Sequence, residues 1–259
     1  MTKLILITGT GRSGTTILKK IFEKHPDIAS VPEWRVLTDP GGIIEFLTIL
    51  ELGNPFQIDQ SYKRLLKAVK QISNDNKAYV YLNILLSKFN NYTKNKLDQS
   101  YANLTVKNQS TNFKYLSNNY LKSLIKYEWD GDYISKKRWE NLKNYVCVDL
   151  EEAYDLTKNY FSSIFEEVLK NKKKEILLEK NTFSFLNLDV ISKIYPPHKV
   201  INIYRDPRDV VASYCKQQWM PSSPEKSAVV LNKMYEKWWK VEKKIPQEKI
   251  LNISFDELM

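Results

Sequence analysis

The loop at residues 9–16 has the residue types needed to bind a phosphate group. It reads Gly-Thr-Gly-Arg-Ser-Gly-Thr-Thr and follows a short apolar run at 4–7. It keeps both glycines of the nucleoside-triphosphate motif G-x-x-x-x-G-K-[ST] and the final hydroxyl at Thr16. Thr15, however, occupies the lysine position, and a cation stands inside the loop at Arg12. The pattern therefore indicates a phosphate-binding loop whose chemistry is not the hydrolysis of ATP or GTP.

The groups of this loop suit a small anion. A strand that leads through a glycine turn into a helix presents backbone N–H groups and the positive helix end to one anion. Arg12 adds a planar cation that can donate two parallel hydrogen bonds to anionic oxygens. In the alternative interpretation the glycines serve only a tight turn. The glycines that permit close approach are Gly9, Gly11 and Gly14, and the hydroxyl donors are Ser13, Thr15 and Thr16.

A second segment, residues 204–213, reads Tyr-Arg-Asp-Pro-Arg-Asp-Val-Val-Ala-Ser. Arg205 is expected at the carboxyl end of a strand, where open α/β sheets bind ligands. A proline then opens a helix, and Ser213 lies about two turns inside it. Arg205 and Ser213 could therefore converge on a second phosphate. The alternative is a capping cluster, in which Asp206 caps the helix and Arg208 pairs with it.

Two phosphate sites on one sheet indicate a nucleotide with separated phosphates, and the two segments together resemble the sulfotransferase family. That family uses 3'-phosphoadenosine 5'-phosphosulfate (PAPS). The first segment is similar to its 5'-phosphosulfate loop and the second to its 3'-phosphate motif. The resemblance covers residues 1–45 and 175–259 and is nearer to the tyrosylprotein, carbohydrate and bacterial branches than to the cytosolic branch. Arg12 agrees with the tyrosylprotein-like and some bacterial members. Smaller matches are Glu179-Lys180-Asn181-Thr182, His25-Pro26-Asp27 followed by Glu33-Trp34-Arg35, and Ser254-Phe255-Asp256-Glu257-Leu258.

The resemblance implies three catalytic residues. Arg12 would neutralise the sulfuryl group and the departing phosphate oxygen, and Lys180 would be a second cation there. Glu33 would be the general base, although a carboxylate near two cations keeps a low pKa. The alternative is that Glu33 is an exposed loop residue and Lys180 a surface lysine. The resemblance assigns nucleotide binding to Gly11, Arg12, Ser13, Gly14, Thr15, Thr16, Arg205 and Ser213.

These roles imply in-line transfer of a sulfuryl group from PAPS to a hydroxyl or amine, with 3',5'-adenosine diphosphate as product. Such a transfer relies on positioning and electrostatics. We expect no metal, because side-chain cations do the work of magnesium. The acceptor (a small molecule, a glycan or a peptide) is not indicated. Two alternatives stay open: a P-loop kinase of a small molecule, against which the missing lysine argues, and a nucleotide-binding relative that has lost turnover.

The chain departs from the family pattern at two places. Phe255 stands where many relatives have tyrosine, so a hydroxyl that could contact adenine is lost. The sequence ends at Met259, whereas cytosolic relatives continue with a basic loop that closes over the 3'-phosphate. Three explanations are open: the middle of the chain supplies replacement cations, the chain is naturally minimal, or the sequence is a fragment.

The elements that must position these residues alternate between strands and helices. This alternation predicts an α/β protein, a P-loop-containing three-layer αβα fold with a central parallel sheet and right-handed crossovers. We expect one sulfotransferase-like domain over residues 1–259, in which 1–50 and 175–259 form the nucleotide-binding core. The predicted strands are at 4–7, 176–178, 200–203 and 250–253, and the predicted helices at 17–22, 185–194, 209–218 and 226–243.

The middle of the chain, residues 51–174, has a different composition. It is rich in Asn, Lys and Tyr, nearly free of Gly and Pro, and contains a clear amphipathic helix at 155–170. We interpret it as a largely helical insertion that shapes the acceptor pocket. Predicted loops within it are Asn90-Asn91 and Ser117-Asn118-Asn119.

Composition limits the class of protein further. The formal net charge of +10 suits a polyanionic ligand, or reflects only a Lys- and Asn-rich composition. There is no signal-peptide pattern and no apolar run near the roughly 20 residues that span a bilayer. Cys147 and Cys215 lack the spacing of metal ligands. We therefore expect a cytoplasmic protein that binds a nucleotide, without nucleic acid or a membrane span; the oligomeric state is not indicated.

Overall fold

The computed structural model of the chain describes residues 3–73, 110–131 and 143–259. The chain forms two compact units, Met1–Trp34 with Phe165–Met259 (the first unit) and Arg35–Ile164 (the second unit). The predicted loop at Asn90-Asn91 lies outside the described residues.

The described residues contain seven strands and ten α-helices. The strands are β1 (Lys3–Thr8), β2 (Ile28–Val31), β3 (Ile125–Asp130), β4 (Lys143–Cys147), β5 (Ile176–Lys180), β6 (Lys199–Tyr204) and β7 (Ile250–Ser254). The helices are α1 (Thr15–Phe22), α2 (Arg35–Thr38), α3 (Ile43–Leu52), α4 (Pro55–Ser73), α5 (Phe113–Ser123), α6 (Leu150–Lys172), α7 (Leu188–Ile194), α8 (Pro207–Tyr214), α9 (Pro224–Glu242) and α10 (Phe255–Leu258). Short 3₁₀ helices lie at Ser184–Asn187 and Gln247–Lys249.

A five-stranded sheet organises the first unit. Its order is β2-β5-β1-β6-β7, and every neighbouring pair is parallel. Ile7 pairs with Lys180 across β1 and β5, and Tyr204 pairs with Ser254 across β6 and β7. Because all five strands run the same way, their carboxyl ends meet at one edge. The predicted α/β fold with a central parallel sheet is confirmed, and β2 is a strand that sequence patterning did not predict.

The two faces of this sheet carry separate apolar clusters, as a three-layer fold requires. On one face Ile7 and Ile201 pack with Leu18 of α1. On the other face Leu6 and Val200 pack with side chains from α7 and α9, among them Trp238. Neighbouring residues on one strand point to opposite faces, so β1 and β6 serve both layers. This packing fixes the positions of the loops that follow β1 and β6.

The described part of the second unit is mostly helical and also holds an antiparallel hairpin of β3 and β4 that was not predicted. Its anchor is Asp59 of α4, which is fully buried and accepts hydrogen bonds from the backbone N–H of Tyr145 and from Lys63 Nζ. Next to it, buried Tyr62 lies edge-on to the Tyr145 ring, with the ring centroids 4.9 Å apart. The hairpin is therefore fastened to α4 by polar and aromatic contacts together.

The predicted loop at Ser117-Asn118-Asn119 is wrong, because these residues lie inside α5. Ser117 is fully buried, and its Oγ lies 2.9 Å from the Tyr160 hydroxyl on α6. Tyr120 stacks on Tyr160 with the ring centroids 4.5 Å apart. Tertiary packing thus overrides the local preference of a Ser-Asn-Asn run for a turn.

Within the described ranges, no helix combines the length and the apolar character needed to cross a bilayer. In the same ranges, no cluster of three or more His, Cys, Asp or Glu side chains could hold a metal ion. Cys147 and Cys215 are both free thiols.

Candidate functional site

The predicted site residues lie along the carboxyl edge of the five-stranded sheet. The glycine-rich loop follows β1, Lys180 ends β5, and Arg205 follows β6. Glu33 comes two residues after the end of β2. This edge is where ligands bind in open parallel sheets. The parallel strand order therefore brings residues from distant parts of the chain to one side of the first unit.

The loop between β1 and α1 has the backbone shape of an anion cradle. Gly11 has φ +77° and Gly14 has φ +99°, a left-handed conformation that glycine adopts without steric cost. Gly14 is also the N-cap of α1, and a Cβ there would lie 2.3 Å from Cδ2 of Phe255. Arg12 has φ +58°, which for a residue with a side chain costs on the order of 1–2 kcal/mol. A strained arginine in this loop points to a function at that position.

The hydroxyl groups of the loop differ in exposure. Ser13 is fully buried, and its Oγ has no hydrogen-bond partner within the described residues. Thr15 is also buried, whereas Thr16 is exposed. A buried hydroxyl without a partner is costly, and a bound anion at the cradle could satisfy it.

Arg12 connects the loop to the second predicted phosphate motif. Its Nε donates a hydrogen bond to Ser213 Oγ on α8 at 2.9 Å. The sequence assigned Arg12 to the sulfuryl end of the nucleotide and Ser213 to the 3'-phosphate. The structure places the two side chains in direct contact, so the two predicted phosphate positions are neighbours.

Arg205 is held in place by an aromatic ring and a carboxylate. Its Nη2 donates to Asp209 Oδ2 at 2.9 Å, and its Cζ lies 4.9 Å from the centre of the Phe255 ring. Its Nε is buried and has no hydrogen-bond partner in the described part of the chain. The same Phe255 ring packs against Gly14 of the loop. Phe255 thus joins the two motifs, a role that its replacement of a tyrosine did not indicate.

The capping alternative is correct for the neighbours of Arg205. Asp206 is the N-cap of α8, and its Oδ1 accepts a hydrogen bond from the backbone N–H of Arg208. The Arg208 side chain pairs with the same carboxylate and is 90 % exposed. The hydrogen bonds from Arg208 lower the pKa of Asp206 to about 2. Asp206 and Arg208 therefore have a local structural role, whereas Ser213 contacts the loop through Arg12.

Glu33 and Lys180 form an ion pair near the end of β5. Lys180 Nζ lies 3.2 Å from Glu33 Oε1, which also accepts hydrogen bonds from the backbone N–H and the hydroxyl of Thr182 at 3.0 and 2.9 Å. Burial raises the pKa of Glu33, but the Lys180 charge and the Thr182 hydrogen bonds outweigh it, so the pKa is lowered overall. The carboxylate is held as an anion. Thr182 lies in the segment 179–182 that resembles the family, and the structure adds its contact with Glu33.

A buried carboxyl group lies beside this pair. Glu179 is fully buried on β5 and accepts a hydrogen bond from the Tyr195 hydroxyl at 3.0 Å. Burial raises its pKa to about 7, against the opposing hydrogen bonds from Tyr195 and Asn181. The Asn181 side chain also donates to the Trp34 carbonyl, which follows Glu33. These buried polar groups fasten the segment that carries Glu33 to the end of β5.

An aromatic group borders the first half of the loop. Trp219 follows α8 and lies edge-on to Phe183 and to Tyr214, with ring centroids 6.0 and 5.4 Å away. The buried Tyr214 donates its hydroxyl to the Thr10 carbonyl of the loop. No sequence motif indicates this group, because its members come from separate segments of the chain and meet only in the folded structure.

Comparison with known proteins gives a family and several structures of the same class. A family model described as the sulfotransferase family matches residues 5–259. The chain is similar to the sulfotransferase domain from the curacin biosynthetic pathway, with 14% identity, a TM-score of 0.44, and coverage of 100% of this chain and 69% of that one. No match to the chain is found among curated proteins.

Two mycobacterial structures are similar to the same extent. Sulfotransferase STF9 from Mycobacterium avium has 11% identity and a TM-score of 0.44, and STF1 from Mycobacterium tuberculosis H37Rv has 11% identity and a TM-score of 0.45. Each comparison covers 100% of this chain, which spans 60% of the first protein and 63% of the second.

Proposed function

Because this chain belongs to the sulfotransferase family, we propose that it transfers the sulfuryl group of PAPS to a hydroxyl or amine of an acceptor. The products would be a sulfated acceptor and 3',5'-adenosine diphosphate. Family membership supports sulfuryl transfer in general, and the choice of PAPS as donor rests on the residues at the edge of the sheet.

The donor set of the first unit supports the nucleotide assignment. We propose that the loop residues Gly11 to Thr16 hold the 5'-phosphate through backbone N–H groups and hydroxyls. Arg205 would bind the 3'-phosphate together with Ser213. The buried Nε of Arg205 and the buried Oγ of Ser13, both without partners in the described ranges, are the unpaired donors that such a ligand would satisfy.

The ion pair of Glu33 and Lys180 supports the catalytic assignment. We propose that Glu33 takes the proton of the acceptor, while Lys180 and Arg12 stabilise the charge that grows on the departing phosphate oxygen. The acceptor oxygen would form its bond to sulfur as the bond from sulfur to that phosphate oxygen breaks. The electron pair of the broken bond stays on the phosphate oxygen. The assignment of the acceptor pocket to residues 51–174 remains a prediction.

One observation carries the proposal: the loop cradle, Arg205 and the Glu33–Lys180 pair all lie at the carboxyl edge of one parallel sheet. Isothermal titration of the full chain with 3',5'-adenosine diphosphate, and separately with ATP and magnesium, tests it. We expect the bisphosphate to bind and ATP with magnesium to bind far more weakly, because the loop lacks the lysine that contacts the β- and γ-phosphates. Binding of ATP without binding of the bisphosphate would instead indicate the kinase alternative.

Turnover is tested separately from binding. Incubation with PAPS and a panel of acceptors, followed by detection of 3',5'-adenosine diphosphate, is expected to show acceptor-dependent release. Tight binding of the bisphosphate without any release from a broad panel would favour the nucleotide-binding alternative that has lost turnover.

A further inference from the structure

The loop between β1 and α1 has two sides with different chemistry. Its end, at Gly14, faces the Phe255 ring that supports Arg205. Its beginning, at Gly11, faces Trp219 and Thr182: a Cβ at Gly11 would lie 3.7 Å from Trp219 Cη2 and 3.1 Å from Thr182 Cγ2. The side at Gly11 is lined by the Trp219 ring and the Thr182 methyl group.

The aromatic side adjoins the proposed base. Thr182 donates its hydroxyl to Glu33 Oε1 at 2.9 Å, and its methyl group is directed toward the same space beside Gly11 as the edge of Trp219. A molecule resting on Trp219 would therefore have its reactive group beside Thr182, Glu33 and Lys180.

Trp219 is rigidly placed and still accessible. Phe183 and Tyr214 contact it edge-on, with interplanar angles of 80° and 66°. Phe183 packs against the apolar core, and Tyr214 is fully buried. Trp219 itself is 41 % exposed. A large side chain that is fixed from two sides and open on another provides aromatic surface for a ligand at low entropic cost.

We propose that Trp219, supported by Phe183 and Tyr214, is a platform for an acceptor that carries its hydroxyl on an aromatic ring. This inference rests on the proposed function and names its acceptor class. The reaction is the one described above: the phenolic oxygen bonds to sulfur, the bond from sulfur to the 5'-phosphate oxygen breaks, and the proton passes to Glu33.

The chemistry of the neighbouring ion pair agrees with an acidic acceptor. The Lys180 charge and the Thr182 hydrogen bonds lower the pKa of Glu33, although burial opposes them. A weak carboxylate base matches a phenol, whose pKa is about 10, better than an aliphatic alcohol, whose acidity is near that of water at about 15.7. Lys180 would in addition stabilise the phenolate charge.

Three related probes separate the ring from the acidity of the hydroxyl. They are 2-naphthol, 2-naphthalenemethanol and decahydro-2-naphthol, and their binding is measured by titration calorimetry in the presence and absence of 3',5'-adenosine diphosphate. We expect both aromatic probes to bind, the saturated probe to bind about tenfold more weakly, and only 2-naphthol to be sulfated efficiently from PAPS. Equal binding and turnover of the saturated probe would overturn the proposal.

Variants of Trp219 link the binding to this side chain. Trp219→Ala is expected to weaken 2-naphthol about tenfold and to leave the affinity for the bisphosphate unchanged, which also shows that the site is folded. Trp219→Phe keeps an aromatic face and should retain most of the binding. Trp239→Ala removes a tryptophan that is 53 % exposed on α9 and is the matched control.

Two outcomes would contradict the proposed role of Trp219. One is a Trp219→Ala variant that binds 2-naphthol like the wild type. The other is a variant that loses bisphosphate affinity instead, because Trp219 would then contact the adenine. If 2-naphthol binds through Trp219 while the bisphosphate does not bind at all, the platform stands and the proposed PAPS function fails.

Discussion

Arg205 and its neighbour Arg208 carry the same charge but lie in different environments. Arg205 is stacked on Phe255, and its buried Nε has no hydrogen-bond partner among the residues that the structure describes, whereas Arg208 is exposed and pairs with Asp206. Two arginines three residues apart therefore lie in different environments: Arg205 packs on an aromatic ring, and Arg208 pairs with the residue that caps α8. The sequence shows both guanidinium groups and does not distinguish them.

Replacing Arg205 tests the assignment of the 3'-phosphate. Arg205→Ala is expected to weaken 3',5'-adenosine diphosphate by about 10- to 100-fold, because a charge-assisted hydrogen bond is worth about 1.5–3 kcal/mol. Adenosine 5'-phosphate, which lacks the 3'-phosphate, should lose little. Arg208→Ala is the matched control. Equal losses for the two nucleotides, measured by calorimetry, would remove Arg205 from the 3'-phosphate.

Glu33 is held by three donors that lower its pKa overall, against the effect of burial. Glu33→Gln keeps the shape and the acceptor oxygen for Thr182 but cannot take a proton. We expect turnover to fall by about 10²- to 10⁴-fold with little change in bisphosphate affinity. Glu166→Gln, an exposed change on α6, is the control. A variant that turns over at the wild-type rate would exclude Glu33 as the base.

The contact between Gly14 and the Phe255 ring links the glycine-rich loop to β7 and α10. Ser254 caps α10 with a capping box, in which the Glu257 carboxylate accepts a hydrogen bond from the backbone N–H of Ser254. This arrangement positions Phe255 at the start of α10. The ring then lies so close to Gly14 that a Cβ would clash with it at 2.3 Å. The end of the described chain thus supports the beginning of α1.

Gly14→Ala is therefore expected to destabilise the protein by about 1–3 kcal/mol, from the clash and from the positive φ together. Combining it with Phe255→Ala removes the clash and leaves only the conformational cost. Urea unfolding of the two single variants and the double variant measures the difference. Strictly additive losses would contradict a direct contact between Gly14 and the ring.

At the level of the whole molecule, Glu179 makes folding stability depend on pH. Burial raises its pKa to about 7 from an ordinary 4.5, so the folded state favours the protonated form. Its contribution is complete below about pH 4.5 and is lost as the pH rises through 7. That difference in pKa corresponds to roughly 3 kcal/mol in the free energy of unfolding. The lowered pKa of Glu33 has the opposite effect, because the stability that its carboxylate contributes is lost as the pH falls.

Glu179→Gln is expected to remove most of the fall in stability between pH 4.5 and 7, because the amide is neutral at every pH and still accepts the Tyr195 hydrogen bond. Urea unfolding at pH 5, 6, 7 and 8 measures the free energy of unfolding of this variant, the wild type and the exposed variant Glu166→Gln. The change of that free energy with pH is then compared among the three proteins. Identical pH slopes for Glu179→Gln and the wild type would show that Glu179 does not titrate in this range.

The sequence by itself determined the class of fold and the two phosphate motifs. Local spacing suffices there, because a glycine loop between an apolar run and a helix, or an arginine after a strand, is defined by residues that are neighbours in the chain. The strands β1, β5, β6 and β7 were predicted within two residues of their ends for the same reason. The strand β2 and the hairpin of β3 and β4 were missed, because their burial depends on partners elsewhere in the chain.

Tertiary structure alone decided which groups meet. The contact of Arg12 with Ser213 joins residues 201 positions apart, and the contact of Lys180 with Glu33 joins residues 147 apart. Thr182, Phe255 and Glu179 lie in segments that resemble the family, but the sequence gives them no supporting role, and Trp219 lies in no motif. Their roles arise from side-chain packing at the edge of a parallel sheet, and strand order and register, which local sequence patterns do not encode, bring them there.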